Sequence, residues 1–165
     1  MMDILVQIEE NGFSTWVRES KSLLAYPSVL FLHTVGMGFV AGISALIDLR
    51  ILGFAPGVPV SPMQRLQPYM WAGFWLNLVT GLVLFAIDAT QKATNPVFWI
   101  KLAFIAIALV IAFMIRNQIF RNPLLDKRPI PTNGKVLAIV SMLCWIGAVT
   151  CGRLLAYIGG GIGAK

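Results

Sequence analysis

Charge is what this chain has least of. Asp, Glu, Lys and Arg together make up 12% of its 165 residues, about half the share usual in a soluble domain. An ordinary solvated globule is therefore excluded. Histidine occurs once, so no metal or haem site within a single chain can draw on two histidine ligands. Cysteine occurs twice, at Cys144 and Cys151. On one helix these two stand about 10 Å apart along the axis, too far for a disulfide. There is no Gly-rich phosphate loop between a strand and a helix. The N-terminal segment does not read as a secretory signal: it carries Asp3, Glu9, Glu10 and Glu19 where a basic start and an apolar core would be expected.

What the chain has in quantity is apolar sequence, and it comes in blocks. Hydrophobic residues reach 58%, with a mean hydropathy of +0.79. A helix crosses the roughly 30 Å hydrocarbon layer with about 20 mostly apolar residues. Four stretches qualify, at about residues 23–47, 69–88, 97–116 and 136–158. The expectation is an all-α integral membrane four-helix bundle over residues 23–165, with the lipid bilayer as its surroundings. Residues 1–22 read as a short amphipathic segment at the interface, with Trp16 as anchor. Gly12 interrupts it, and Ser14 is placed to cap a second turn.

The net charge of +6 reads as a positive-inside bias, not as affinity for nucleic acid. Arg50, Arg65, Arg116, Arg121, Lys127, Arg128 and Lys135 lie on one side of the four spans; Arg18, Lys21, Lys92 and Lys165 lie on the other. That excess places the two long loops in the cytoplasm and both termini in the periplasm of a bacterial inner membrane. The loop sequences FAPGVPVSPMQRLQP and RNPLLDKRPIPTNG are rich in breakers and read as non-helical. Tyr69, Trp71 and Trp75 form an aromatic belt at the inner face, Trp99 anchors the outer end of the third span, and the tryptophans in general read as belts. Gly38-x-x-x-Gly42 offers a small-residue seam, used within the bundle or in a homo-oligomer or larger membrane complex. Asp48-Leu49-Arg50 reads as an acid–base pair at the cytoplasmic rim.

Polar groups kept inside apolar helices are expensive and face the bundle interior or water. Here they are His33, Asn77, Thr80, Asp88, Lys101, Thr150 and Arg153. By helical rise His33 lies about 13 Å below the outer face, with Lys101 and Arg153 roughly 7 Å below it. All four spans thus bring a polar or ionisable group to one half of the bundle. Imidazole ligates haem iron, and lysine or arginine pairs with propionates, so this constellation suits haem b. His33 would be the axial ligand, with Lys101 and Arg153 near the propionates. Gly36, on the same face as His33, would leave room for the macrocycle. The second ligand would be Lys101, Met37, Met142, water or nothing. The same residues also admit a cofactor-free scaffold. In it Lys101 and Arg153 snorkel, Asp88 pairs with one of them, and His33, Asn77 and Thr80 bond neighbouring helices. A third reading is a transport protein of the copper-resistance type, with a soft copper site of the two cysteines and methionines on facing helices.

The stretches YPSVLFLHTVGMGFVAGISALIDLRILG and TGLVLFAIDATQKATNPVFWIKLAFIAIALVIAF resemble a family of small uncharacterised bacterial four-helix membrane proteins. More distantly, they resemble the copper-resistance protein D domain and the HemJ-type protoporphyrinogen oxidase. The shared pattern is a histidine in helix 1 before a Gly-rich turn, the pair Thr80-Gly81 in helix 2, and a lysine near the start of helix 3. The resemblance to the oxidase implies a b-type haem associated with His33 and Lys101. The function expected is a haem-b protein of electron transfer, or an accessory subunit of a membrane oxidoreductase.

Overall fold

The protein is described from a computed structural model covering residues 2–20, 25–121 and 129–158. The start expected at residue 23, the Gly-rich C-terminal tail with Lys165, and Lys21, Lys127 and Arg128 lie outside the described residues.

The described residues form helices and no strand. They are α1 (Met2–Glu9), α2 (Gly12–Glu19), α3 (Tyr26–Leu52), a 3₁₀ helix (Ser61–Leu66), α4 (Gln67–Ile87), α5 (Ala89–Thr94), α6 (Pro96–Ile115) and α7 (Thr132–Ile158). A single π-helical turn, Arg116–Phe120, prolongs α6. Four helical stretches are long and apolar enough to cross a membrane: Tyr26–Leu52, Ser61–Ile87, Pro96–Phe120 and Thr132–Leu155. Phe31, Trp75, Leu82, Trp99, Val110, Phe113, Leu143 and Ile146 turn outward from them. An apolar exterior over an apolar interior is what lipid surroundings select, and the chain is a multi-pass membrane protein.

The spans stand close to their expected places, and the ends differ for local reasons. α3 runs beyond residue 47 to Leu52, stopping at Gly53, whose φ of +106° is open to glycine and whose amide N–H bonds the Arg50 and Leu49 carbonyls. The first loop contains helix after all. Pro62 and Pro68 each fall in the first turn of their helix, where the missing N–H has no partner to lose. In α6 the Asn95 side chain accepts from Val97 N at 2.9 Å, beside Pro96 in the first turn. The short α5, not expected from sequence, joins α4 to α6.

The N-terminal segment is two helices. Asn11 accepts from Phe13 N at 3.2 Å as the cap of α2. Ser14, expected as a cap, donates back to the Ile8 carbonyl at 2.9 Å and so pins α2 onto α1. Trp16 is exposed, as an interfacial anchor is. Both helices pack against α4, and α1 also against α5. Glu9 reaches across to α5, where it accepts from Thr90 N at 3.1 Å and Thr90 Oγ1 at 2.6 Å. It caps α5 where Asp88, the residue before it, does not. Glu9→Ala is expected to cost about 1 kcal/mol and to speed hydrogen exchange at the Thr90 amide; unchanged exchange would count against the cap.

Within the bundle α3 packs on α4 and α7, and α6 packs on α7. The closest approach joins Gly36 and Gly73. A Cβ on Gly73 would lie 2.5 Å from Phe39 Cβ and 3.0 Å from the Gly36 carbonyl oxygen. The expected seam at Gly38 and Gly42 is not used inside the chain: both are exposed, and a Cβ at either meets nothing within 4 Å. The apolar core fills mid-bundle and the loop-side half, with Val40, Met70, Ala108 and Trp145 above Ile47, Ile51, Ile111 and Ile115. Trp145 is therefore no belt residue. It lies mid-helix, 6% exposed, with its indole N–H turned inward. Tyr69, Trp75 and Trp99 are exposed, as belts require.

Candidate functional site

The half of the bundle next to α1, α2 and α5 holds the polar residues. His33 lies on α3 opposite α4, with Nδ1 at 3.0 Å from Thr80 Oγ1. Below the ring is Gly81, where a Cβ would come within 3.2 Å of His33 Cε1. The Thr80-Gly81 pair thus has a physical reason: the hydroxyl holds the ring and the missing side chain makes space for it.

The proton on Thr80 and the tautomer of the ring are linked. A threonine hydroxyl has one proton. Thr80 Oγ1 lies 2.7 Å from the Leu76 carbonyl and 3.3 Å from that of Asn77, both acceptors only. When that proton goes to the backbone, the oxygen accepts from His33 Nδ1 and the lone pair of the neutral ring is on Nε2; when it goes to Nδ1, the tautomer is the reverse. The ring also bonds the Asn77 backbone. A histidine anchored through Nδ1–H with Nε2 open is the arrangement of a metal-ligating imidazole.

Lys101 lies across α7. Its Nζ and Cε would be 3.6 and 3.7 Å from a Cβ on Gly152. It is half-buried, close enough to His33 to act on it electrostatically, and makes no ion pair among the described residues. Measured along their helices, His33, Thr80, Lys101 and Gly152 all lie roughly 7–11 Å below the same face. Asp88 takes neither Lys101 nor Arg153 as partner. It pairs with Lys92 at 3.1 Å, one turn on, and Lys92 also donates to the Leu84 carbonyl.

Two of the expected site residues stand apart from this group. Gly36 leaves no room beside His33, because α4 occupies the space: a Cβ there would lie 3.0 Å from Asn77 N and from the Gly73 carbonyl oxygen. Its role in the structure is to let α3 and α4 meet. Arg153 is exposed on α7 and has no ion pair among the described residues. Thr80 bonds across helices as expected. Asn77 does not, since its buried Oδ1 has no partner. The two cysteines are buried and free, and no cluster of three or more His, Cys, Asp and Glu occurs among the described residues.

One residue that sequence reasoning set aside lies in the other half. Asp48 does not pair with Arg50. Residues two apart on a helix point to nearly opposite sides, so Arg50 turns out to the Val58 and Pro56 carbonyls while Asp48 turns in, 0% exposed. The spacing alone could have shown this.

Tested as a haem site, the pair His33 and Lys101 fits by donor chemistry: an imidazole held at Nδ1, with a lysine that makes no ion pair among the described residues. Gly36 adds no space, and Arg153 faces outward. Fold and site together define a four-helix, multi-pass membrane protein with an anchored histidine in one half of its bundle. No protein-family model, no curated protein and no solved structure matches the chain.

Proposed function

We propose that the protein binds haem b in the membrane and serves electron transfer, as a small subunit or partner of a bacterial membrane oxidoreductase. The observation that supports this most is the Thr80 contact at His33 Nδ1; with Nδ1 as donor there, Nε2 carries the lone pair a ligand needs. A bound haem supplies one-electron redox chemistry at its iron. The chain's own part is to orient and to compensate charge. Thr80 and Gly81 hold the His33 ring, and Lys101 offers a positive charge to a propionate or its amine as second ligand. The positive-inside count supports periplasmic termini in an inner membrane, so the site would lie in the periplasmic half. The open Gly38 and Gly42 face of α3 is the natural contact for a second copy or a larger complex.

The visible spectrum of the protein purified from haem-replete membranes tests this reading. A Soret band that co-purifies with the folded chain is expected. A folded, colourless protein would sink it and leave the cofactor-free scaffold, which the tight Gly36–Gly73 crossing suits.

A further inference from the structure

Asp48 is buried at the interface of α3 and α7, and neither carboxyl oxygen has a hydrogen-bond partner. The hydroxyls of Ser44 and Ser141 flank it, themselves 4% and 0% exposed. Ser44 Oγ and Ser141 Oγ are 3.4 Å apart, and Trp145 Nε1 donates to Ser44 Oγ at 2.9 Å. On the same two helices Ile47, Ile51 and Ala138 pack with Ile111 and Ile115 of α6 in one buried apolar cluster. We propose that Asp48, Ser44 and Ser141 form a site for a small monovalent cation, a proton or a sodium ion.

A carboxylate shut away from water needs a compensating charge or full hydrogen bonding. Asp48 has neither among the described residues. On its own helix Arg50 is engaged with the Val58 and Pro56 carbonyls. Facing elements bring Lys135 and Cys144 on α7, Arg116 after α6 and Arg65 before α4. The three cations are exposed, Cys144 packs in the mid-bundle core, and Asp48 makes no ion pair among the described residues. Among the described residues no positive charge meets the carboxylate, and the group calls for a single unit of it: one carboxylate with two hydroxyls is too little for a divalent ion. The Trp145 N–H is a donor only. It takes one lone pair of Ser44, so the remaining hydroxyl lone pairs and the carboxylate make an all-oxygen set, the preference of a hard cation. A proton would sit on the carboxyl itself.

Melting of the purified protein in detergent, in sodium chloride against choline chloride of equal ionic strength and across a range of pH, tests the site. The wild-type melting temperature should shift by several degrees with sodium, with pH, or with both, and Asp48→Asn should lose that shift. A sodium response at fixed pH identifies the metal ion; a response to pH alone identifies the proton. Identical responses in wild type and Asp48→Asn overturn the proposal. Should Asp48→Asn fail to fold, labelling of the wild type by a hydrophobic carbodiimide, read by mass spectrometry, decides. Modification of Asp48 that rises with acidity or is blocked by sodium supports the site. Labelling indifferent to both, or absent throughout, overturns it.

Discussion

Gly73→Ala is expected to be among the most destabilising single substitutions in the bundle, lowering stability by about 1–3 kcal/mol. The added Cβ would meet Phe39 Cβ at 2.5 Å, the Gly36 carbonyl oxygen at 3.0 Å and Val40 N at 3.1 Å. Two of these are backbone atoms and the third is fixed to backbone, so no rotamer change relieves the clash. α3 and α4 have to separate. Gly38→Ala is the control, since its Cβ meets nothing within 4 Å and alanine is the better helix former. Thermal unfolding in detergent should show a large loss for Gly73→Ala and little change for Gly38→Ala. Equal effects would mean that Gly36–Gly73 is not the closest helix crossing. The substitution also reaches the candidate site. Thr80 and Gly81 lie two turns along α4 from Gly73, so parting the helices draws them away from His33. Any cofactor held by His33 should bind more weakly in the same variant.

The pair of glycine motifs shows where sequence reading stops. Gly38 and Gly42 have the familiar spacing, while Gly36 and Gly73 are lone glycines on separate helices. Which glycine faces a neighbour depends on how each helix is rotated about its axis. α3 is apolar on nearly all sides, so hydropathy carries little record of that rotation. The spans themselves were legible because an apolar run of membrane length has few other uses. Helix ends were less so, since Pro62 and Pro68 read as breakers until their place in a first turn is known. The shared level of His33 and Lys101 followed from helical rise alone. The Thr80 contact was expected only as some interhelical bond. Asp48 was misread because its neighbour Arg50 offered a ready partner; on a helix, neighbours in sequence are not neighbours in space.

A graded series at the histidine should have the second large effect. His33→Ala removes the only imidazole in the chain, so the Soret band expected of the wild type should be lost. Thr80→Val keeps the volume but removes the oxygen 3.0 Å from Nδ1. The ring is then free to turn and to move its proton to Nε2, where it blocks ligation. Loss of such a supporting partner typically weakens binding about 10–100-fold, so Thr80→Val should retain little haem where Thr80→Ser retains most of it. Lys101→Met separates the two roles open to Lys101. Loss of a propionate partner lowers haem content and leaves the band positions alone; loss of an axial amine shifts them. Wild-type colour in His33→Ala would remove the histidine from the site. Wild-type colour in Thr80→Val would mean that the Thr80 contact does not hold His33 as a ligand.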